Sequence, residues 1–165
     1  MNNKQKQTIS LFNEIDTKYL SYPVSLIYMN IRSLRLNFSS FLVSINKIIN
    51  KIKLIVLVET NISNNENNIY NIQGFNSVFL NREGKGGGIV VYIKENINYT
   101  QLSSNPNSFE LLQIDVNINN KNISLLPIYR PPDQKVTEFI QELETIITKI
   151  NKKQDIIIVG DMNID

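Results

Sequence analysis

The chain contains no cysteine and no histidine. The first absence removes disulfides, thiolate nucleophiles and cysteine-held zinc. The second removes imidazole general bases and most zinc and copper sites. Any metal ion must therefore be held by oxygen ligands, which points to Mg²⁺, Mn²⁺ or Ca²⁺. Long hydrophobic runs are missing too. The apolar runs, such as 54–58 and 156–159, are strand-sized, far below the ~20 residues that span a bilayer, so no membrane partner is expected. No apolar segment with a basic start opens the chain, so the expectation is an intracellular protein, nuclear or cytoplasmic, and not a secreted one. Excess charge is small, at +2. That permits contact with nucleic acid without arguing for it.

What is present suits one domain. The length of 165 residues and 42% hydrophobic content support a single sizeable core. Asn and Ile are used heavily, as in Asn64, Asn65, Asn67 and Asn68, a pattern that fits codon bias and makes a lone Asn uninformative. Residues 1–22 read as an N-terminal extension with a weak helical stripe of Ile9, Phe12, Ile15 and Tyr19. The domain proper is 23–165.

Within it, 24–29 (VSLIYM) reads as a buried strand. Apolar residues Leu34, Phe38, Phe41, Leu42, Ile45, Ile48, Ile49 and Ile52 then recur at steps of three and four, which predicts a helix over 34–51. The run 54–58 (LIVLV) reads as a strand covered on both faces. Strand, helix and strand form a βαβ unit with a parallel pair. The segment 61–74 is polar and irregular, 75–80 is a strand candidate, 81–88 is a glycine-rich loop and 89–93 is another strand. Residues 109–116 and 122–129 read as a pair turning at Asn119-Asn120. Pro127 suggests that the second is an edge strand or ends early. A second helix is predicted over 134–151, capped by Asp133 or Thr137, and 156–159 is the last strand. Both helices should lay their stripes on sheet faces, with 24–29, 54–58 and 156–159 in one core.

In layered α/β folds, ligands gather beyond the carboxyl ends of strands. Here those ends deliver Asn30 with Arg32 and Ser33, then Glu59 with Thr60 and Asn61, then Tyr129 and Arg130, then Gly160, Asp161 and Asn163. Oxygen ligands and amides with two nearby cations suit a hard cation and a phosphate. Asp161 and Asn163 could also form an Asx-type turn, with Gly160 allowing a close backbone approach to a ligand. The triple glycine 86–88 matches neither a P-loop nor a dinucleotide fingerprint. Asp115 is assigned no role.

These motifs, taken in order, resemble the endonuclease/exonuclease/phosphatase superfamily, and most closely the apurinic-type endonuclease domain of non-LTR retrotransposons. Asn30-Ile31-Arg32-Ser33-Leu34 is similar to its first-strand motif and Glu59-Thr60 to its glutamate motif. Gly86-Gly87-Gly88 with IVVYI resembles its Gly-rich strand, Tyr129-Arg130-Pro131-Pro132 its tyrosine motif, and Gly160-Asp161-Met162-Asn163 its Gly-Asp-x-Asn motif. The resemblance implies a two-sheet α/β sandwich flanked by helices. It implies Mg²⁺, or Mn²⁺, held by Glu59 with Asn30 beside it. Tyr129 would contact the scissile phosphate, Asp161 would position or activate the attacking water, and Asn163 would hold a phosphate oxygen. Arg32 and Arg130 would grip flanking phosphates. The implied activity is nicking of DNA at an insertion site, with a reverse transcriptase following in an intact element.

The family ends with a Ser-Asp-His motif, preceded by a further Asp motif, and neither is present before Asp165. The chain is therefore expected to be C-terminally truncated and a poor catalyst alone. The alternatives are an inactive relic and a phosphatase or sphingomyelinase of the same superfamily; the short connections favour the endonuclease type.

Overall fold

A computed structural model describes residues 24–82 and 86–164; the N-terminal extension with its weak stripe lies outside that range. Nine strands and two α-helices follow in order: β1 (Leu26–Asn30), α1 (Leu34–Ile45), β2 (Leu54–Val58), β3 (Phe75–Leu80), β4 (Ile89–Lys94), β5 (Asn98–Leu102), β6 (Glu110–Leu111), β7 (Gln113–Ile118), β8 (Lys121–Tyr129), α2 (Val136–Lys149) and β9 (Asp155–Asp161). They form two sheets. The first has the order β1-β2-β4-β3, and in the second β5, β7, β8 and β9 lie side by side with β6 also on β8. The pairs β1/β2 and β8/β9 are parallel, each joined by a helix. The remaining pairs are antiparallel.

Side-chain alternation turns these sheets into four layers. In β2, Ile55 and Leu57 join Phe38, Phe41 and Ile45 of α1 in one cluster. Leu54, Val56 and Val58 face the other way and meet Ile114, Val116, Ile123 and Leu125 of the second sheet. On the far side, Leu126 and Ile128 pack with Phe139 of α2. The order is helix, sheet, sheet, helix, the expected flanked sandwich. β9 belongs to the second sheet, yet Ile157 and Val159 reach the same inter-sheet core as β2.

The expected helix over 34–51 is shorter. α1 ends at Ile45, and 3-10 bonds take over, with the amides of Ile48, Lys51 and Ile52 donating to the carbonyls of Ile45, Ile48 and Ile49. Steps of three, as from Ile45 to Ile48 and from Ile49 to Ile52, fit a 3-10 turn as well as an α-helix, and Ile45, Ile48 and Ile52 stay buried through the change. α2 starts after Lys135, which makes no side-chain cap; neither Asp133 nor Thr137 caps it. The segment 61–74 is not irregular throughout: Asn64–Tyr70 is a 3-10 helix with a capping box between Ser63 and Glu66.

Pro127 does not mark an edge. β8 lies between β7 and β9 and runs through to Tyr129. In a strand, a residue's N–H and C=O point to the same side, and the Pro127 carbonyl accepts from Leu112 N–H at 3.2 Å. The missing donor therefore faces Leu112, and the ladder is broken there. This splits the expected strand 109–116 into β6 and β7 without changing register. Asn119 and Asn120 form the turn at φ +52° and +61°, as a two-residue type I′ hairpin requires.

Candidate metal and phosphate site

Asn30, at the end of β1, continues the face of Leu26 and Tyr28 toward the second sheet. Asp161, at the end of β9, continues the face of Ile157 and Val159. Glu59 poses a problem, because strict alternation after Val58 would turn it toward α1. Its backbone instead adopts φ +56°, a left-handed conformation that costs a non-glycine residue of order 1–3 kcal/mol. That turn breaks the alternation and returns the carboxylate to the inter-sheet side. Asn30 Nδ2 donates to Glu59 Oε1 at 2.8 Å and to Asp161 Oδ2 at 2.9 Å. One amide thus bridges two carboxylates carried by different sheets.

Strain gathers around this point. Of the seven non-glycine residues with positive φ among the described residues, Arg32, Ser33, Glu59, Asn61 and Asn163 follow site strands, while Asn119 and Asn120 form the hairpin turn. Backbone bonds hold the strained segments together: Ile31 N–H donates to Val58 O at 3.0 Å and Leu34 N–H to Thr60 O at 2.9 Å. Thr60 N–H donates to Gly88 O at 3.2 Å and Asn61 N–H to Gly87 O at 3.1 Å. The glycine loop thus abuts the end of β2.

Tyr129 ends β8 beside β9, in register with Asp161. Burial, then the charges of Glu59, Glu110 and Asp161, push its phenol up, with Arg82 opposing, so it stays a proton donor. Tyr28 shares the face of Asn30; burial, then Asp161 and Glu59, push it up to about 12. Asn163 turns back at φ +47°, its N–H reaching Asp161 Oδ1 at 3.3 Å and its Nδ2 donating to Arg130 O at 2.6 Å. The Asx-type turn is therefore present within the cluster. Arg32 is exposed at the mouth, next to Asn30.

Two expectations change. Arg130 is only 2% exposed. Its guanidinium donates to Met162 O at 2.6 Å, to Pro131 O at 3.3 Å and to the carbonyls of Asn163 and Gln134. It clamps the segment after β9 to the segment after β8, and those bonds take up the donors that a phosphate would need. Gly160 meets backbone, not a ligand: a Cβ there would overlap the Ile128 carbonyl across the β8/β9 pair.

Sequence reasoning missed Tyr28 and Glu110. Tyr28 was legible as the residue two before Asn30, on the same face. Glu110 comes beside the site only through its pairing with Tyr129, which no local signal shows. A groove of about 400 Å³ opens beside Glu110, lined in part by Asn81, Arg82, Ser104, Asn107, Glu110 and Gln134.

The donor set fits a hard cation. Glu59 and Asp161 share one neutral donor, and among the described residues neither has a Lys or Arg at ion-pair distance. Two carboxylates drawn to one amide make an acidic pair whose charge a hard cation would offset. Among the described residues no group of three or more acidic, His or Cys side chains forms a fuller cage, so water would complete the shell.

No family model and no curated protein matches the chain. Solved structures do. The endonuclease domain of TRAS1, a telomere-specific non-LTR retrotransposon, superposes with TM-score 0.63 at 15% identity, over 87% of this chain and 60% of that one. TDP2 from D. rerio, complexed with single-strand DNA product, gives 0.59 at 14% identity, over 86% and 61%. An AP endonuclease from Archaeoglobus fulgidus gives 0.54 at 17%, over 86% and 58%. The chain has the endonuclease/exonuclease/phosphatase fold, as its motifs suggested. It spans about 60% of the length of these structures.

Proposed function

We propose that this chain carries the metal-holding part of a DNA phosphodiesterase, an endonuclease domain of the non-LTR retrotransposon type. The observation that carries the reading is Asn30 bridging Glu59 and Asp161 from two sheets, at the strand ends where the motif order led. Glu59 is the main ligand for Mg²⁺ or Mn²⁺, with Asn30 beside it. The ion would neutralise phosphate charge. Asp161 positions or activates the attacking water. Tyr129, kept protonated, donates to a phosphate oxygen, and Asn163 holds another. Arg32 meets a flanking phosphate. Arg130 acts by fixing Asn163. The groove beside Glu110 offers amides and hydroxyls that a nucleic-acid strand could meet.

DNA is the proposed substrate, with a reverse transcriptase as partner and an intracellular location to match. Among the described residues no helix is long and apolar enough to cross a membrane. The string Tyr129-Arg130-Pro131-Pro132 favours the retroelement type over a phosphatase of the same fold. With no histidine in the sequence, a contribution worth ~10²–10⁴-fold is missing, and nicking by this chain alone should be very slow. The test is calorimetric titration with Mg²⁺ and Mn²⁺. Binding by the wild type that is lost in Glu59→Gln supports the reading; unchanged binding in that variant removes the metal role.

A further inference from the structure

Glu110 lies outside the carboxylate cluster, and its surroundings are unusual. Its side chain is 14% exposed. Oε2 accepts the Gly88 N–H at 2.6 Å. Oε1 is buried without a hydrogen bond, and Arg82 Nη1 stands 3.6 Å away. A buried carboxylate with one oxygen lacking a hydrogen bond costs more than a neutral acceptor making the same single bond. Its burial raises the carboxyl pKa, opposed by the Gly88 N–H and by Arg82.

The connection runs onward through the backbone. Gly88 O and Gly87 O accept the N–H groups of Thr60 and Asn61, the two residues that follow Glu59. Space along this path is filled: a Cβ on Gly87 would overlap Glu110 Oε1, and one on Gly88 would overlap Thr60 Oγ1. Thr60 is fully buried, its hydroxyl also without a hydrogen bond. Glu110 therefore presses and bonds the glycine segment, which anchors the backbone just past the strained Glu59. Glu59 in turn meets Asn30 and, through it, Asp161.

We propose that Glu110 is a positioning residue for the site: its grip on Gly88 holds the Glu59–Asn61 backbone in its left-handed turn and so aims the Glu59 carboxylate at the cation. This rests on the reading of Glu59 as the metal-holding carboxylate. The chemical logic is that of an outer partner orienting a ligand, where loss of the partner commonly lowers metal affinity 10–100-fold. A carboxylate suits the task because a charged acceptor bonds a backbone N–H more strongly than a neutral one.

The experiment uses the full 165-residue chain, isotope-labelled, as wild type and as Glu110→Ala, Glu110→Asp, Glu110→Gln and Glu59→Gln. Three readouts are taken: amide hydrogen exchange, the side-chain amide resonances of Asn30, and Mn²⁺ affinity. In Glu110→Ala, exchange at Gly88, Thr60 and Asn61 should rise selectively, with Val56 and Val91 unchanged. The Asn30 amide signals should shift, and Mn²⁺ should bind about 10-fold more weakly. Glu110→Gln, whose side-chain oxygen still accepts from Gly88, should recover most of the loss. If the alanine variant does not fold, Glu110→Asp, one methylene short of Gly88, carries the same expectations. Unmoved Asn30 signals and unchanged affinity in a folded Glu110→Ala or Glu110→Asp would overturn the proposal. So would uniform acceleration of all amides, which marks a general packing role. If wild type and Glu59→Gln bind Mn²⁺ alike, the metal reading fails by itself, and the exchange and Asn30 readouts still decide whether Glu110 positions Glu59.

Discussion

β2 and β9 are both apolar runs that lead into a site carboxylate, yet their support is unequal. β2 is enclosed by β1 and β4 in its sheet, by α1 on one face and by the second sheet on the other, and all five of its residues are fully buried. β9 pairs only with β8 among the described residues, and none of its residues is fully buried. Glu59 thus rides on a strand locked from four sides, and Asp161 on a strand paired along one edge whose two faces are only partly covered. The two carboxylates themselves differ in backbone, although Asn163 beyond β9 also has a positive φ. The left-handed turn sits at Glu59, where surrounding bonds can impose it, whereas Asp161 needs only extended backbone and a glycine before it.

The largest expected effect sharpens this contrast through stability. Leu57→Ala should cost about 3 kcal/mol in urea unfolding, the usual scale for an enclosed leucine. Ile156→Ala, at a position 38% exposed, should cost under ~1 kcal/mol. Equal costs would mean that β9 is as well supported as β2. Next, Gly160→Ala should cost about 2 kcal/mol, because its methyl collides with the Ile128 backbone. Its signature is faster hydrogen exchange confined to β9; loss spread over β2 would join the two halves into one cooperative unit. Arg130→Lys should lower stability by about 1–2 kcal/mol, since an ammonium cannot reach the carbonyls that the planar fork serves. Unchanged stability would return Arg130 to the phosphate-binding surface.

The smallest effect is spectroscopic. Tyr28, near 12, should ionise at a lower pH in Asp161→Asn, moving only part of the way to 10 because burial is the leading cause. The sign follows from a folded pKa above the unfolded one. Tyr28 contributes fully below about pH 10, and that contribution is lost as pH rises through 12. Ultraviolet titration of wild type, Asp161→Asn and Tyr28→Phe checks this, and an unshifted Asp161→Asn curve would place Asp161 away from Tyr28.

Much of the architecture was legible because it rests on period. The runs at 54–58 and 75–80 became strands with those bounds, and strand-end placement brought Asn30, Glu59 and Asp161 to one point. What escaped depends on tertiary partners. β5 shows no alternation and has all five residues exposed, so only its pairing with β7 makes it a strand. Pro127 signals an edge in isolation, but a broken ladder position opposite Leu112 admits it to a central strand. The burial of Arg130 depends on carbonyls 32 and 33 positions away. The box Ser63-x-x-Glu66 is a local signal that the reading of 61–74 as irregular overlooked; it caps the 3-10 helix at 64–70.

The most direct test of the shared cation site is paramagnetic broadening by substoichiometric Mn²⁺ in heteronuclear spectra of the chain. The expected result is that Asn30, Glu59 and Asp161 broaden first and together, with Tyr28 and Gly160 close behind, and that Glu59→Gln abolishes the pattern. Broadening centred on other carboxylates, such as Asp133 or Asp155, with Asn30 and Asp161 left sharp, would contradict it.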